Sequence, residues 1–103
     1  MNRVINLAFA LTVLASAAQA CPERLARMGG VSVYQGSVAM NVELAPDRQA
    51  RDMRGRNVWT NLDPYTVTIV CHSERGQDSI MHMEFGQHRC TQDLAAQTFT
   101  CGH

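Results

Sequence analysis

The stretch Asp63–Cys90, DPYTVTIVCHSERGQDSIMHMEFGQHRC, decides the predicted fold. After the turn-forming pair Asp63–Pro64, a run rich in β-branched residues extends over Tyr65–His72. A polar segment with one glycine, Ser73–Asp78, separates it from a second alternating run, Ser79–Phe85. Two such runs around a polar break predict an antiparallel β-hairpin. Period-two alternation predicts that one face points into the core, and this face carries Val67, Ile69, Cys71, Met81, Met83 and Phe85.

Shorter runs on either side of the hairpin predict the remaining strands. Val31–Gln35 is one, and alternation over Val38–Leu44 favours another, with a short helix as the competing interpretation. Asn57–Leu62 carries the only tryptophan, Trp59, which we expect in the core because large aromatic side chains dominate small cores. Ala95–Cys101 predicts the last strand. The expected class is mainly β: a small antiparallel sheet of about five strands, curled or half-closed, disulfide-stapled and with little helix.

The first 20 residues have the composition of a secretory signal peptide. A short basic start at Asn2–Arg3 precedes the apolar run Val4–Ala15, and Ala18-Gln19-Ala20 has the small residues of a cleavage site. The apolar run is shorter than the roughly 20 residues that a spanning helix needs. We therefore predict a signal peptide at residues 1–20 and one small disulfide-bonded β domain at residues 21–103, exported to the periplasm.

Four cysteines follow the predicted cleavage point: Cys21, Cys71, Cys90 and Cys101. An even number in an exported chain predicts two disulfides. A lipid on Cys21 would leave an odd number, and Gln19 fits a lipoprotein signal poorly, so we favour a chain without a membrane anchor. Three pairings are possible. We favour Cys71–Cys90, which would close a loop beside the hairpin, with Cys21–Cys101, which would join the ends of the domain.

The charge of the chain argues against two classes of partner. Nine basic residues, all of them arginine, balance nine acidic residues. Neither nucleic acid nor an anionic membrane surface is therefore expected as an obligatory partner. The polar connector from Ala45 to Arg56 fits an ordinary solvated loop. It also fits a contact patch for an acidic protein surface, formed by Arg48, Arg51, Arg54 and Arg56.

The hairpin holds the residues that could carry chemistry. Met81-His82-Met83 has the sulfur and imidazole groups that suit copper(I), but a strand would project its methionines and its histidine to opposite faces. His82 and Glu84 share a face near His72, yet no Ser or Thr is marked as a nucleophile, and no phosphate-binding loop is present. We expect no metal, no cofactor and no catalytic residue. We interpret His72, His82 and Glu84 as exposed residues that a partner could contact.

A set of short motifs points to one family. They are Cys21-Pro22, the glycine-terminated run Val31–Gly36, Leu44-Ala45-Pro46-Asp47, Trp59 ahead of Cys71, and Cys90 after the return strand. The pattern resembles a family of small periplasmic proteins of Gram-negative bacteria. Its members are similar to immunity proteins of type VI secretion effectors, including effectors with an L,D-transpeptidase-like, peptidoglycan-attacking domain. The resemblance implies a protein that binds and neutralises a cell-wall-targeting toxin. A lysozyme inhibitor and a periplasmic copper or other metal-binding protein are the alternatives.

Overall fold

The computed structural model describes residues 18–103, with side chains from Ala20 onward. The predicted signal peptide therefore lies outside the described residues except for Ala18–Ala20, which cleavage before Cys21 would remove from the fold. Within residues 18–103 the chain is mainly β, and its only helical element is a 3₁₀ turn at Val38–Met40. That part of the chain has no helix long and apolar enough to cross a membrane.

The strands of residues 18–103 form two antiparallel sheets. Sheet one has the order β1-β7-β6-β3, and sheet two has the order β2-β4-β5. The strands are β1 (Ala18–Gln19), β2 (Val31–Gln35), β3 (Arg56–Trp59), β4 (Val67–His72), β5 (Asp78–Met81), β6 (Arg89–Asp93) and β7 (Thr98–Gly102). The predicted mainly β, antiparallel and disulfide-bonded class is confirmed. The strands differ from the prediction in dividing between two small open sheets instead of forming one curled sheet.

The predicted hairpin is present as β4 and β5, in which His72 lies opposite Asp78 and Ile69 lies opposite Met81. All three β4 side chains expected in the core, from Val67 to Cys71, are buried. On the return side Met83 is buried and Met81 packs partly buried against the core.

The inward position predicted for Phe85 is wrong, because its side chain is 82% exposed. β5 ends at Met81, four residues before the end of the predicted run. The chain then turns: the Gln87 N–H donates to the Glu84 carbonyl, and Gly86 adopts a positive φ of 88°. A glycine reaches this conformation without the steric cost that other residues incur. The turn takes Phe85 out of the sheet, and the alternation no longer applies to it.

The strand predicted over Val38–Leu44 is also wrong. Its first residues form the 3₁₀ turn, and Asn41 follows in the left-handed conformation, with φ 56° and ψ 39°. Asparagine tolerates this conformation better than most residues, and it breaks the extended backbone. Only one isolated bridge remains, between Tyr34 and Glu43. The competing interpretation of a short helix is closer to what is present.

The favoured disulfide pairing is wrong as well: the bonds are Cys21–Cys71 and Cys90–Cys101. The reason is β6, a strand that the sequence analysis missed. β6 places Cys90 directly opposite Cys101 on β7, with the two Cα atoms 4.1 Å apart. The segment after Cys21 runs beside the end of β4, where the Ala26 N–H donates to the His72 carbonyl, and this brings Cys21 to Cys71.

The core draws side chains from both sheets. Trp59 of β3, predicted in the core, is buried and contacts Phe99 of β7 edge to face, with ring centroids 5.8 Å apart. Ile69 and Val33 of sheet two are fully buried in the same cluster. The indole Nε1–H of Trp59 donates to the Leu44 carbonyl at 3.0 Å, so the tryptophan is buried without leaving its polar group unpaired.

The two disulfides should stabilise the domain unequally. Cys21 and Cys71 are 50 positions apart, so on the chain-entropy model their double replacement by alanine costs about 4 kcal/mol. Cys90 and Cys101 are 11 positions apart, and their loss costs about 3 kcal/mol on the same model. Urea unfolding of the two double variants without reductant measures the difference. If the Cys90/Cys101 double variant lost more free energy of unfolding than the Cys21/Cys71 double variant, the claim that the longer loop gives the larger stabilisation would be contradicted.

Candidate protein-binding surfaces

One segment, Leu44–Asp47, bridges the two sheets, and we call it the strap. Its Leu44 N–H donates to the Val33 carbonyl of sheet two at 2.7 Å, while the Leu44 carbonyl accepts from Trp59 of sheet one. At its other end, the Asp47 carboxylate accepts from the N–H of Thr60 at 2.6 Å and from its hydroxyl at 3.0 Å. Contacts to both sheets therefore hold the strap in place.

A groove lies on each side of the strap, and Leu44, Ala45 and Trp59 line both grooves. The larger has a volume of about 570 Å³ and reaches the amide pair formed by Asn57 and Gln92. The smaller has a volume of about 420 Å³. Both grooves are open clefts beside a fixed backbone segment, and each mixes apolar and polar lining.

The connector arginines are exposed, as the contact-patch interpretation requires. Arg48 is fixed through its backbone, which exchanges two hydrogen bonds with Val58. Arg56 approaches Asp93 at 3.4 Å, but an exposed ion pair of this kind contributes only about 0–1 kcal/mol. Arg51 and Arg54 lie on the exposed loop between them. Arg51, Arg54 and Arg56 therefore lie before or at the start of β3, whereas Arg48 lies opposite Val58 near its end.

The other three predicted contact residues lie elsewhere. His82 and Glu84 are exposed in the loop that joins β5 to β6. This loop enters β6 beside Cys90, which is opposite Trp59 at the far end of β3 from Arg56. His72 is half-buried on sheet two, where Ser32 and Asp78 contact its ring. The predicted contact residues therefore do not form one surface.

An exposed aromatic pair, not predicted from the sequence, joins Phe85 of the β5–β6 loop to Tyr65 of the connection between β3 and β4. Phe85 contacts Tyr65 edge to face, with ring centroids 6.2 Å apart, although Tyr65 is 76% exposed and Phe85 82% exposed. Since Phe85 lies on the same loop as His82 and Glu84, we call these four residues the aromatic edge. The sequence pattern predicts a strand position for Tyr65 and a core position for Phe85. The glycine after Phe85 was the one available signal that the chain turns there.

Hydrogen bonds hold the loop of the aromatic edge. The Gln87 side chain accepts from the Glu84 N–H at 2.7 Å and donates to the Cys101 carbonyl at 3.3 Å. Gln87 is buried, so these bonds are shielded from water. At the chain end, the His103 ring contacts the Gly86 carbonyl at 2.7 Å. The loop therefore presents Phe85 from a tethered backbone.

Comparison with known proteins adds no relative. No protein-family model, curated protein or solved structure matches this chain.

Within residues 18–103, no group of three or more His, Cys, Asp or Glu side chains is placed to hold a metal ion. The two disulfides indicate an oxidising environment, extracellular or periplasmic.

The contribution of the Asp47–Thr60 contact to the stability of the fold should depend on pH. Hydrogen bonds from the backbone N–H of Thr60, and then from its hydroxyl, hold the pKa of the Asp47 carboxyl below its ordinary value of 3.8. A lowered folded-state pKa means that the contact stabilises the fold above pH 3.8 and that this contribution is lost as the pH falls through the folded-state value.

Asp47→Asn should therefore lower the free energy of unfolding at neutral pH, with the difference from the parent protein shrinking in acid below pH 3.8. Thr60→Val is the matched control, because it removes the hydroxyl donor and keeps the backbone donor. Its pH-dependent effect should be the smaller of the two. Urea unfolding at a series of pH values measures the free energy of unfolding of both variants. If the difference between Asp47→Asn and the parent grew towards low pH, the lowered pKa of Asp47 would be contradicted.

Proposed function

We propose that this protein is an exported binding protein of the periplasm that neutralises a cell-wall-targeting, peptidoglycan-acting toxin by covering its active site. Support for the toxin class comes from the resemblance of the Cys21-Pro22, Leu44–Asp47 and Trp/Cys/Cys motifs to type VI immunity proteins. Support for an oxidising compartment comes from the two disulfides. The observation that carries the choice of binding surface is the exposed aromatic pair of Tyr65 and Phe85.

The aromatic edge has the composition of an interface centre. Aromatic side chains are enriched in protein interfaces and dominate their binding energy. Tyr65 and Phe85 contact each other and still expose most of their surface, and a partner could cover this area. His82 and Glu84 stand on the same loop and supply polar groups for the rim of the contact.

The anchoring of the loop favours binding energetically. Ordering a flexible loop on association costs free energy that a pre-organised loop does not lose. Gln87 ties the loop to the backbone of Cys101, a residue that is itself disulfide-bonded. Because the backbone that carries Phe85 is already tethered, binding would order less of this loop and so lose less conformational entropy.

The connector arginines belong outside the centre of this contact. Arg51, Arg54 and Arg56 lie before or at the start of β3, while the β5–β6 loop enters β6 beside Cys90, opposite the last residue of β3. Arg48 is tied through its backbone to Val58. In this proposal the connector arginines are either solvated or lie at the charged periphery of the contact with the toxin. Rim charges change association rate and salt dependence more than affinity.

Replacing Phe85 or Tyr65 by serine should weaken binding of the cell-wall-targeting toxin, to be sought as the product of the adjacent gene, by at least about tenfold, since central aromatic residues act as hot spots. Titration calorimetry measures the affinity. Both side chains are exposed, so the free energy of unfolding should change by no more than about 0.5 kcal/mol.

Met28→Ser is the matched control, because Met28 is also 82% exposed and lies outside the aromatic edge. It should leave the affinity unchanged. Equal weakening by Met28→Ser would contradict the choice of surface. Failure of the parent protein to bind the toxin would contradict the toxin proposal, and inhibition of an added lysozyme in its place would support the lysozyme-inhibitor alternative.

A further inference from the structure

Sheet two places a serine, a histidine and an aspartate in a hydrogen-bonded line across its three strands. Ser32 is on β2, His72 on β4 and Asp78 on β5. The Ser32 Oγ lies 3.1 Å from His72 Nε2, and His72 Nδ1 lies 2.8 Å from Asp78 Oδ1. The line therefore runs hydroxyl, imidazole, carboxylate, with a different ring nitrogen facing each neighbour.

Strand register produces this arrangement. His72 lies directly opposite Asp78, so both side chains project from the same face of the hairpin. Ser32 lies opposite Val70, which puts it diagonally beside His72, within reach of a long side chain. Val33, Ile69 and Cys71 point into the core from the opposite face, so the three polar residues occupy the outer face of sheet two.

We propose that Ser32 is a nucleophile that accepts an acyl group from an ester, with His72 as its general base and Asp78 as a positioning residue. The carboxylate of Asp78 can only accept, so it selects the imidazole tautomer with the proton on Nδ1. Nε2 is then the acceptor that faces the Ser32 hydroxyl. A hydroxyl activated by a base that a third group orients is the recurring arrangement for nucleophilic catalysis. This activity is separate from toxin binding and uses none of the residues of the aromatic edge.

The transfer balances without a cofactor or an oxidant. The Ser32 Oγ attacks the ester carbonyl, its proton passes to His72 Nε2, and the Oγ–C bond forms as the bond from carbon to the leaving oxygen breaks. The proton on Nε2 then passes to the leaving alkoxide. In the second half, water attacks the acyl-serine, gives a proton to Nε2, and the proton returns to Ser32 Oγ with release of the acid.

The neighbouring side chains suggest the substrate class. Val70 lies between Ser32 and Ile80 on the same outer face. Val70 is only 8% exposed and Ile80 is 61% exposed, so Ile80 supplies the apolar surface, which suits a short apolar acyl chain. The face is open, so water would solvate the oxyanion in place of an enclosed set of donors. Because such donors commonly supply the largest share of the rate enhancement, we expect rapid acylation only with activated esters, and slow turnover.

A fluorophosphonate probe tests Ser32 directly. Its reaction forms an Oγ–P bond, breaks the P–F bond and releases fluoride with the serine proton. We expect one equivalent of label, mapped by peptide mass spectrometry to Ser32. Ser32→Ala should abolish it, and His72→Gln should lower its rate at least about tenfold, by the loss of general-base assistance. Ser37→Ala and His88→Gln are matched controls, because both residues are exposed and neither belongs to the aromatic edge, and they should label like the parent.

Asp78 needs a readout that a purely structural residue would not change. Asp78→Asn should lower the maximal labelling rate while the probe concentration at half-maximal rate stays the same, and Asp78→Glu should restore part of the rate. Cross-strand hydrogen bonds that merely hold β5 against β4 would give a different result: equal, slow labelling of Ser32 and Ser37 in the folded parent protein. That result, or no label on Ser32, would overturn the proposal.

Discussion

The disulfide between Cys21 and Cys71 is the constraint on which the rest of the structure depends. It fastens the start of the described domain to β4, the central strand of sheet two. The segment that follows then lies along the molecule, with Leu25 buried and the Glu74 N–H donating to the Arg24 carbonyl. A domain of this size buries only about 60% of the surface of its unfolded chain. A covalent link that holds one more segment over the core therefore matters more here than in a large protein.

The second disulfide stabilises a different part of the structure, sheet one. Cys90–Cys101 joins two neighbouring strands of sheet one, and the carbonyl of Cys101 receives the buried Gln87 side chain. The loop with the exposed Phe85 is therefore tethered to a cross-linked strand. No disulfide joins one sheet to the other within residues 18–103. The shared core, which includes Trp59, and the strap hold the two sheets together.

The elements that the sequence predicted correctly are those with a local signal. β2 and β4 are apolar and β-branched, and their alternation locates their buried faces. β6 was missed because its sequence, Arg-Cys-Thr-Gln-Asp, is polar and has no alternation of hydrophobicity. The wrong disulfide pairing followed from that omission. The hydrophobic alternation of Val38–Leu44 fits a strand, but Asn41 adopts the left-handed conformation and turns the backbone out of it. Residue propensities alone do not predict this conformation.

The candidate sites depended on information that a single sequence does not contain. His72, His82 and Glu84 were expected to share one exposed face, but His72 belongs to sheet two while the other two lie in a loop. Tyr65 and Phe85 are 20 positions apart and meet only because two turns adjoin. Ser32 and His72 are 40 positions apart, so their contact follows from the register of β2 on β4. Contacts between distant segments, and not local pattern, assembled each surface.

Mass spectrometry of the protein purified from cells under non-reducing conditions, after alkylation of free thiols, tests the central claim most directly. We expect a chain that begins at Cys21, takes up no alkylating reagent, and yields cross-linked peptides joining Cys21 to Cys71 and Cys90 to Cys101. Alkylated cysteines, or peptides joining Cys71 to Cys90, would contradict both the stabilising framework and the oxidising compartment inferred from it.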